Sequence, residues 1–550
     1  MQNPIKYALF ALFIIFIFAS SYFLVYYTAF TKDIGLFSQD GLIGVMPSMQ
    51  NNNPLDTGMG MNPNPPGNLA SVSRTLAGTN PVKDSKEVNL SDGSTYALSA
   101  DLVSKTINGQ QIRMYSYNGE FPGPTLRVKQ GSTINVNFKN NLDVATTVHW
   151  HGIRLSNNYD GVPDVTQSIV KPGEIFTYTL NFPDAGVYWY HPHAEEDLQQ
   201  ELGLYGAIIV DSPSASYYNP VNLEQILFLD DILINKNDVY PFYNKVTNFA
   251  MMGRFGNTIL VNGQEQFTLN LKKGDTVRFF AIDSANTRTL NVSIGNLSLK
   301  MIGSDGGKYE QEFFSNSFII SPSERATFEA KFDNAGSYDI VSTTPLGTTI
   351  LGKILVHGVS TDNDISGFSS LRANNDVISS INPYRQYFDK PNDFNYTLTS
   401  KAIGAMQGNS GMQMGGNPYD IEWQDPDFSQ NSMSTNMGIS WVIKDKNTAK
   451  ENLDINQAVA KNKTIKIKIE NPIGGVDSMQ HPIHIHGANF LVLTRNGVKN
   501  TNLVWKDTVL VKKGETVEIL TYFPNSGQWM MHCHISEHLS SGMMSMFNVR

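Results

Sequence analysis

A chain of 550 residues has room for about three domains of ordinary size, and its 30 Phe and 23 Tyr within a 41% hydrophobic composition can fill several cores. A net charge of -9 with no Lys/Arg cluster argues against a nucleic-acid partner. Charged residues are sparse at 17%, which favours strands and turns over long surface helices, and the single cysteine, Cys533, excludes an intrachain disulfide.

The chain opens on 23 residues without a charge, Ala8 to Phe30, with Lys6 before them and Lys32 and Asp33 after. That run is long enough to span a bilayer as a helix. It ends in Tyr26, Tyr27 and Phe30, which suit an interfacial belt. Residues 1–33 are therefore read as an uncleaved membrane anchor in preference to a cleaved signal peptide, and either reading places the rest outside the cytoplasm. Residues 34–85, rich in Asn, Pro, Gly and Met, read as a flexible tether.

Three later segments share one pattern: KPGEIFTYTLNFPDAGVYWYHPH, SPSERATFEAKFDNAGSYDIVST and KKGETVEILTYFPNSGQWMMHCH. In each, a glutamate (Glu174, Glu324, Glu515) precedes a glycine (Gly186, Gly336, Gly527) by twelve residues. Each reads as a strand, a turn closed by Gly and a second strand. Upstream of each lies another strand-like stretch, from Gly131, Gly274 and Asn462. The expectation is an all-β chain of three homologous β-sandwiches over 86–213, 214–360 and 361–550. Counted from the turn glycine, His191 and His193 align with Val341 and Thr343 and with His532 and His534. The middle copy has lost the histidine pair and reads as a spacer.

Ten of the 11 histidines fall in four clusters: His149-Trp150-His151, His191-Pro192-His193, His481 with His484 and His486, and His532-Cys533-His534 with His538. His357, in a strand-like run, reads as structural. Residues i and i+2 of a strand point to one face and i+1 to the other, so each H-x-H pair aims two imidazoles into one site. Cys533 then faces away from His532 and His534, and one strand joins two metal sites back to back. His481 is out of phase with His484 and His486 and can join Cys533, His538 and Met543. Two His, a Cys and a weak axial Met is the blue-copper arrangement. Zinc is the rival metal, but a structural zinc site has no use for the Met.

From about residue 90 to Arg550 the chain resembles the multicopper oxidase family, through YNGEFPGPTLRV, HWHGIRLSNNYDGVPDVTQSIVKPGE, GVYWYHPH, HPIHIHG, NLVWKDTVLV and HCHISEHLSSGMM. The resemblance implies three consecutive cupredoxin-like Greek-key β-sandwich domains. It also implies four copper ions and no other cofactor. By motif, His481, Cys533, His538 and Met543 match the type 1 ligands, although Met544 and Met546 are close neighbours of Met543. His149 and His484 match the type 2 ligands, and His151, His191, His193, His486, His532 and His534 match the type 3 pair. The family oxidises a small reducing substrate one electron at a time at type 1 copper, and four electrons reduce O2 to water at the trinuclear cluster. Asp160 matches an acid that helps deliver protons there; read from the residues alone it is a turn Asp before Gly161. One departure stands out: many relatives carry an acid directly after the second type 1 His, where this chain has Leu539, and Glu537 precedes that His instead.

The expected partners are O2, a phenolic donor or a reduced metal ion, and the membrane. A Met-rich, Gly-rich stretch (Met406, Met412, Met414), with Met433 and Met437 beyond it, fits either a Cu(I)-binding segment or a loop in which Met fills gaps. Met46, Met49, Met59 and Met61 in the tether dilute that signal. A metallo-oxidase acting on Cu(I) or Fe(II) is thus the alternative to a laccase. A copper nitrite reductase ranks low, because such enzymes lack four H-x-H pairs. A non-enzymatic scaffold is set against the retention of every ligand.

Overall fold

The computed structural model describes residue 76 and residues 79–550, apart from 237, 244–245, 360–364, 366 and 404–418. The expected anchor over residues 8–30, the tether methionines, and Met406, Met412 and Met414 lie outside the described residues. Among the described residues, no helix is long and apolar enough to cross a membrane.

Among the described residues, apart from a two-stranded ribbon, the strands form six sheets, two to each of three successive sandwiches. The same pairing scheme recurs three times. In one sheet a strand runs parallel to a second, which turns back on a third: Thr95–Ile107, Thr133–Asn140 and Ile175–Asn181 in the first sandwich. Leu223–Ile232, Thr276–Asp283 and Arg325–Lys331 repeat it, as do Phe394–Ala402, Ile465–Glu470 and Thr516–Thr521. In the opposing sheets, Gly186–His191, Gly336–Thr344 and Gly527–Cys533 each pair antiparallel with the last strand of their unit. The all-β expectation and the threefold repeat are what the chain adopts.

The repeated glutamate has a physical reason. A Glu174 oxygen accepts the backbone N–H of Lys171, one of Glu324 accepts that of Ser321, and one of Glu515 accepts that of Lys512. Each carboxylate thus closes the tight turn three residues upstream, just before the strand that leads to the repeat glycine.

Alternation along the strands sorts their residues between core and interface. In His149–His151 the middle residue, Trp150, is fully buried and packs against Tyr178 and Tyr190 in the first core. In His481–Ile485 the side chains of Ile483 and Ile485 enter the third core, and Cys533 enters it from the facing strand. Register opposes Ile483 to Cys533 and His484 to His532, so imidazoles that leave the core on neighbouring strands leave it together.

The turn carboxylates differ in burial, with Glu174 exposed and Glu324 and Glu515 buried at 8% and 7% exposure. Hydrogen bonds to charged groups contribute about 1.5–3 kcal/mol when buried and less in water. Glu515→Ala and Glu324→Ala should lower the thermal midpoint clearly, and Glu174→Ala should barely move it; equal shifts in differential scanning calorimetry would contradict the turn-closing account.

Candidate metal centres

Among the described residues, ligand-type side chains gather in the third sandwich and at its border with the first. In the smaller group, Cys533 Sγ lies 3.5 Å from His481 Nδ1 and 3.8 Å from His538 Nδ1, and the two Nδ1 atoms are 3.3 Å apart. The strand Gly527–Cys533 supplies the thiol, His481–Ile485 supplies one ring and the short helix Ser536–Ser540 the other. Met543 is held beside them by its backbone: its carbonyl accepts from Cys533 N and its N–H donates to the His538 carbonyl. Trp441 stacks on His538 at 4.1 Å between ring centres, and its indole N–H donates to the Ala250 carbonyl. Burial pushes the Cys533 thiol up and brings His481 down to about 3, so without a cation the three groups are neutral.

The larger group joins His149, His151, His191 and His193 of the first sandwich to His484, His486, His532 and His534 of the third. His151 stacks on His484 with ring centres 3.8 Å apart, and His149 lies 4.1 Å from His486. Most of the rings are tied down on their outer side. The Nδ1–H groups of His149, His191, His484 and His532 donate to the backbone carbonyls of Asp160, Pro192, Asp507 and Cys533 at 2.7–2.9 Å. The Nδ1–H of His486 donates to Asp160 Oδ2 at 2.8 Å. His151 is reversed: its Nε2 faces Asp507 Oδ1 and Thr508 Oγ1 at 3.1 Å each. Burial, then neighbouring rings, holds His151, His191, His484 and His534 well below the ordinary imidazole range.

These ties leave inward-facing nitrogens. Nε2 of His149, His191, His193 and His484 and Nδ1 of His151 are buried with no hydrogen-bond partner. His486 Nε2 and His532 Nε2 face each other at 3.0 Å, and with both Nδ1 protons donated outward they oppose two lone pairs. Buried polar atoms are rarely left in this state without a bound ion or water. Neutral imidazole lone pairs converging on one volume fit a metal such as copper, and the thiol of the smaller group fits its softer demands.

Family models described as multicopper oxidase match residues 102–215, 226–355 and 420–550. The chain belongs to the multicopper oxidase family. A multicopper oxidase of Staphylococcus haemolyticus is 28% identical over 444 residues, covering 79% of this chain and 83% of that protein. Laccase-1 of Botryotinia fuckeliana is 28% identical over 479 residues, covering 82% of this chain and 80% of that one. In fold, the chain is similar to a laccase-like multi-copper oxidase from Ochrobactrum sp., with a TM-score of 0.67 at 22% identity over 86% of this chain and 100% of the other. It is also similar to the multicopper oxidase of Campylobacter jejuni, described as a metallo-oxidase, with a TM-score of 0.63 at 21% identity over 87% and 99%. As a multicopper oxidase, this chain is a copper-dependent oxidoreductase.

The twelve residues read as ligands are thus brought into two groups, with Met543 at the edge of the smaller. Asp160 lies against the larger group. Burial would raise its carboxyl, but His486 and His149 hold it well below the carboxylate range. It is presented by a turn that requires Gly161, where φ is +85° and a Cβ would sit 1.9 Å from the Val148 carbonyl oxygen. His357 is exposed on the strand Gly347–Val359, where it pairs with Lys272 in the middle sandwich. Leu539 packs against Val162, Met530 and Met546, while Glu537 turns to Asn286 and Thr287 and is pushed up to about 7 by burial and Asp197.

Two further residues of this oxidase bear on the cluster without having been singled out in the sequence. Asp507, within the NLVWKDTVL motif, touches His151 through its side chain and His484 through its backbone carbonyl. Glu196 starts the short helix Glu196–Glu201, its carboxylate lies 3.5 Å from His534 Nδ1 and 4.0 Å from His191 Nδ1, and neither oxygen has a hydrogen-bond partner. The acidic run Glu195-Glu196-Asp197, one residue past the His191/His193 pair, was the available signal.

Asp160→Ala removes the acceptor that fixes the His486 ring. Copper binding at the cluster should weaken by about 10–100-fold in a chelator competition, with the Cys533 site unaffected; unchanged affinity would mean that Asp160 does not orient His486.

Proposed function

We propose that this chain is a laccase-like oxidase that couples four one-electron oxidations of a small reducing donor to the reduction of O2 to water, using one type 1, one type 2 and a type 3 pair of copper ions. The observation that carries this reading is the strand Gly527–Cys533 and the residue after it, where Cys533 faces the smaller group and His532 and His534 face the larger. Copper bound at these sites supplies one-electron redox at the thiolate-ligated position and multi-electron O2 chemistry at the histidine cluster.

His481, Cys533, His538 and Met543 hold the type 1 ion in this reading. His149 and His484 hold the type 2 ion, and His151, His191, His193, His486, His532 and His534 hold the type 3 pair. The protein's part is to set the path and the surroundings. A covalent route runs from Cys533 Sγ through its own backbone to both flanking rings. A shortcut runs through the Cys533 carbonyl, which accepts from His532 Nδ1–H at 2.9 Å. Trp441 and the apolar third core exclude water from the thiol side. On the cluster side, Asp160 sets Oδ1 3.4 Å from His149 Nδ1 and accepts from His486 Nδ1–H through Oδ2, a position suited to passing protons inward.

A Cu(I) or Fe(II) donor is the second reading. The segment that carries Met406, Met412 and Met414 is followed by Glu422, whose backbone exchanges two hydrogen bonds with the Gln480 side chain, next to His481. Met433 and Met437 are 65% and 68% exposed. The uncharged run Ala8 to Phe30 supports a membrane-anchored, extracytoplasmic oxidase.

The fully loaded protein should contain four coppers per chain, be blue and consume O2. Cys533→Ser, nearly isosteric but with a poor oxygen replacement for the thiolate, should lose the blue absorption and the oxidase activity and keep its fold by circular dichroism. A blue, active Cys533→Ser protein, or a wild type with one metal per chain, would refute the assignment.

A further inference from the structure

The middle sandwich carries no histidine pair, yet it reaches the cluster. Arg325 begins its strand Arg325–Lys331 and is 1% exposed. Its guanidinium touches all three sandwiches. Nε donates to the Val187 carbonyl of the first at 3.1 Å, and Nη1 to the Ser323 carbonyl of its own at 3.0 Å. Nη1 and Nη2 grip the Asp507 carboxylate of the third at 2.6 and 2.5 Å. Asp507 is in turn the residue that holds His151 through Oδ1 and His484 through its backbone carbonyl. Thr508 Oγ1, 3.0 Å from Asp507 Oδ1, lies within 3.2 Å of both rings.

We propose that Arg325 is a positioning residue for the trinuclear site: by locking the Asp507 carboxylate in a two-pronged pair, it fixes which nitrogen of His151 and of His484 faces the metals. This rests on the copper reading of the cluster. A carboxylate oxygen can accept from only one direction per lone pair, and a planar guanidinium fork sets that direction where a single point charge does not. The Arg325 prongs hold both oxygens, and Oδ1 also faces the Thr508 hydroxyl, which donates to it at 3.0 Å, and His151 Nε2 at 3.1 Å; an ionised carboxylate oxygen can only accept. His151 must therefore carry its proton on Nε2 and present Nδ1, the opposite of His484, which donates through Nδ1 and presents Nε2. The surroundings are built around the pair. Asp305 accepts from Arg325 N at 2.8 Å and pairs with Lys506 at 3.0 Å, bracing the middle sandwich against the segment that bears Asp507. Gly152, directly after His151, has φ of +85°, and a Cβ there would lie 2.4 Å from Asp507 Oδ2 and 2.8 Å from Arg325 Nη2. The glycine of the His149-Trp150-His151-Gly152 motif is thus the space in which this pair sits.

A plain interdomain clamp would also use Arg325, so the test must read the rings. Long-range proton–nitrogen spectra of metal-free protein labelled at histidine nitrogen report which ring atom carries each proton. In wild type, His151 should be protonated on Nε2 and His484 on Nδ1. In Arg325→Lys, which keeps the charge and loses the fork, His151 should lose its single tautomer, while His481 and His538 stay as in wild type. Copper added to that variant should bind the cluster on the order of tenfold more weakly, with the blue Cys533 site retained. If Arg325→Lys does not fold, Arg325→Gln, which keeps a hydrogen-bond donor and Asp507 but loses the fork, replaces it; loss of the single His151 tautomer is again expected. Unchanged tautomers, with only a lower thermal midpoint, would overturn the proposal. Failure of wild type to take up copper would sink the copper reading alone, since the tautomers are read without metal.

Discussion

Everything in this molecule depends on the two-residue period of a β-strand. Along Met531, His532, Cys533 and His534, consecutive side chains must point to opposite faces. The thiol therefore enters the apolar third core, and the two imidazoles leave it toward the first sandwich. No other short element could place a soft sulfur ligand and a pair of imidazoles back to back with only backbone between them. The same alternation puts Trp150 in the first core and its flanking histidines at the interface. The cluster is thus a by-product of two ordinary cores whose outward faces meet.

Meeting is the costly part. Inward-facing lone pairs repel one another at contacts such as His486 Nε2 to His532 Nε2, which lie 3.0 Å apart. Metal binding would relieve it, which couples assembly of the interface to loading. The middle sandwich supplies the remaining constraint. Its ion pairs with the third sandwich, through Arg325, Asp305, Lys506 and Asp507, are buried from solvent and so escape the screening that weakens surface pairs. The segment that lost its histidine pair is more than the spacer its sequence implies.

Much of this was legible in the chain itself. The H-x-H pairs, the isolated Cys533 and the twelve-residue interval from Glu to Gly all report local geometry, and local geometry is what periodicity encodes. The out-of-phase His481 could be paired with Cys533 for the same reason. What stayed hidden were contacts between residues far apart in sequence. Asp507 meets His151 across 356 positions, and Arg325 meets Asp507 across 182. Neither has a periodic signature, and an Arg or Asp in a strand reads as a solvated side chain until its burial is known. Glu196 was hidden for a different reason: an acidic run at a helix start looks like a favourable first turn, and only its burial against His534 marks it out.

With copper bound, one strand would both separate two metal sites and join them. Anomalous diffraction at the copper edge, from crystals of the loaded protein, tests it most directly. One peak is expected among His481, Cys533 and His538, and a separate group of three among the eight rings of the interface. Peaks at only one of the two places, or scattering at the zinc edge instead, would contradict it.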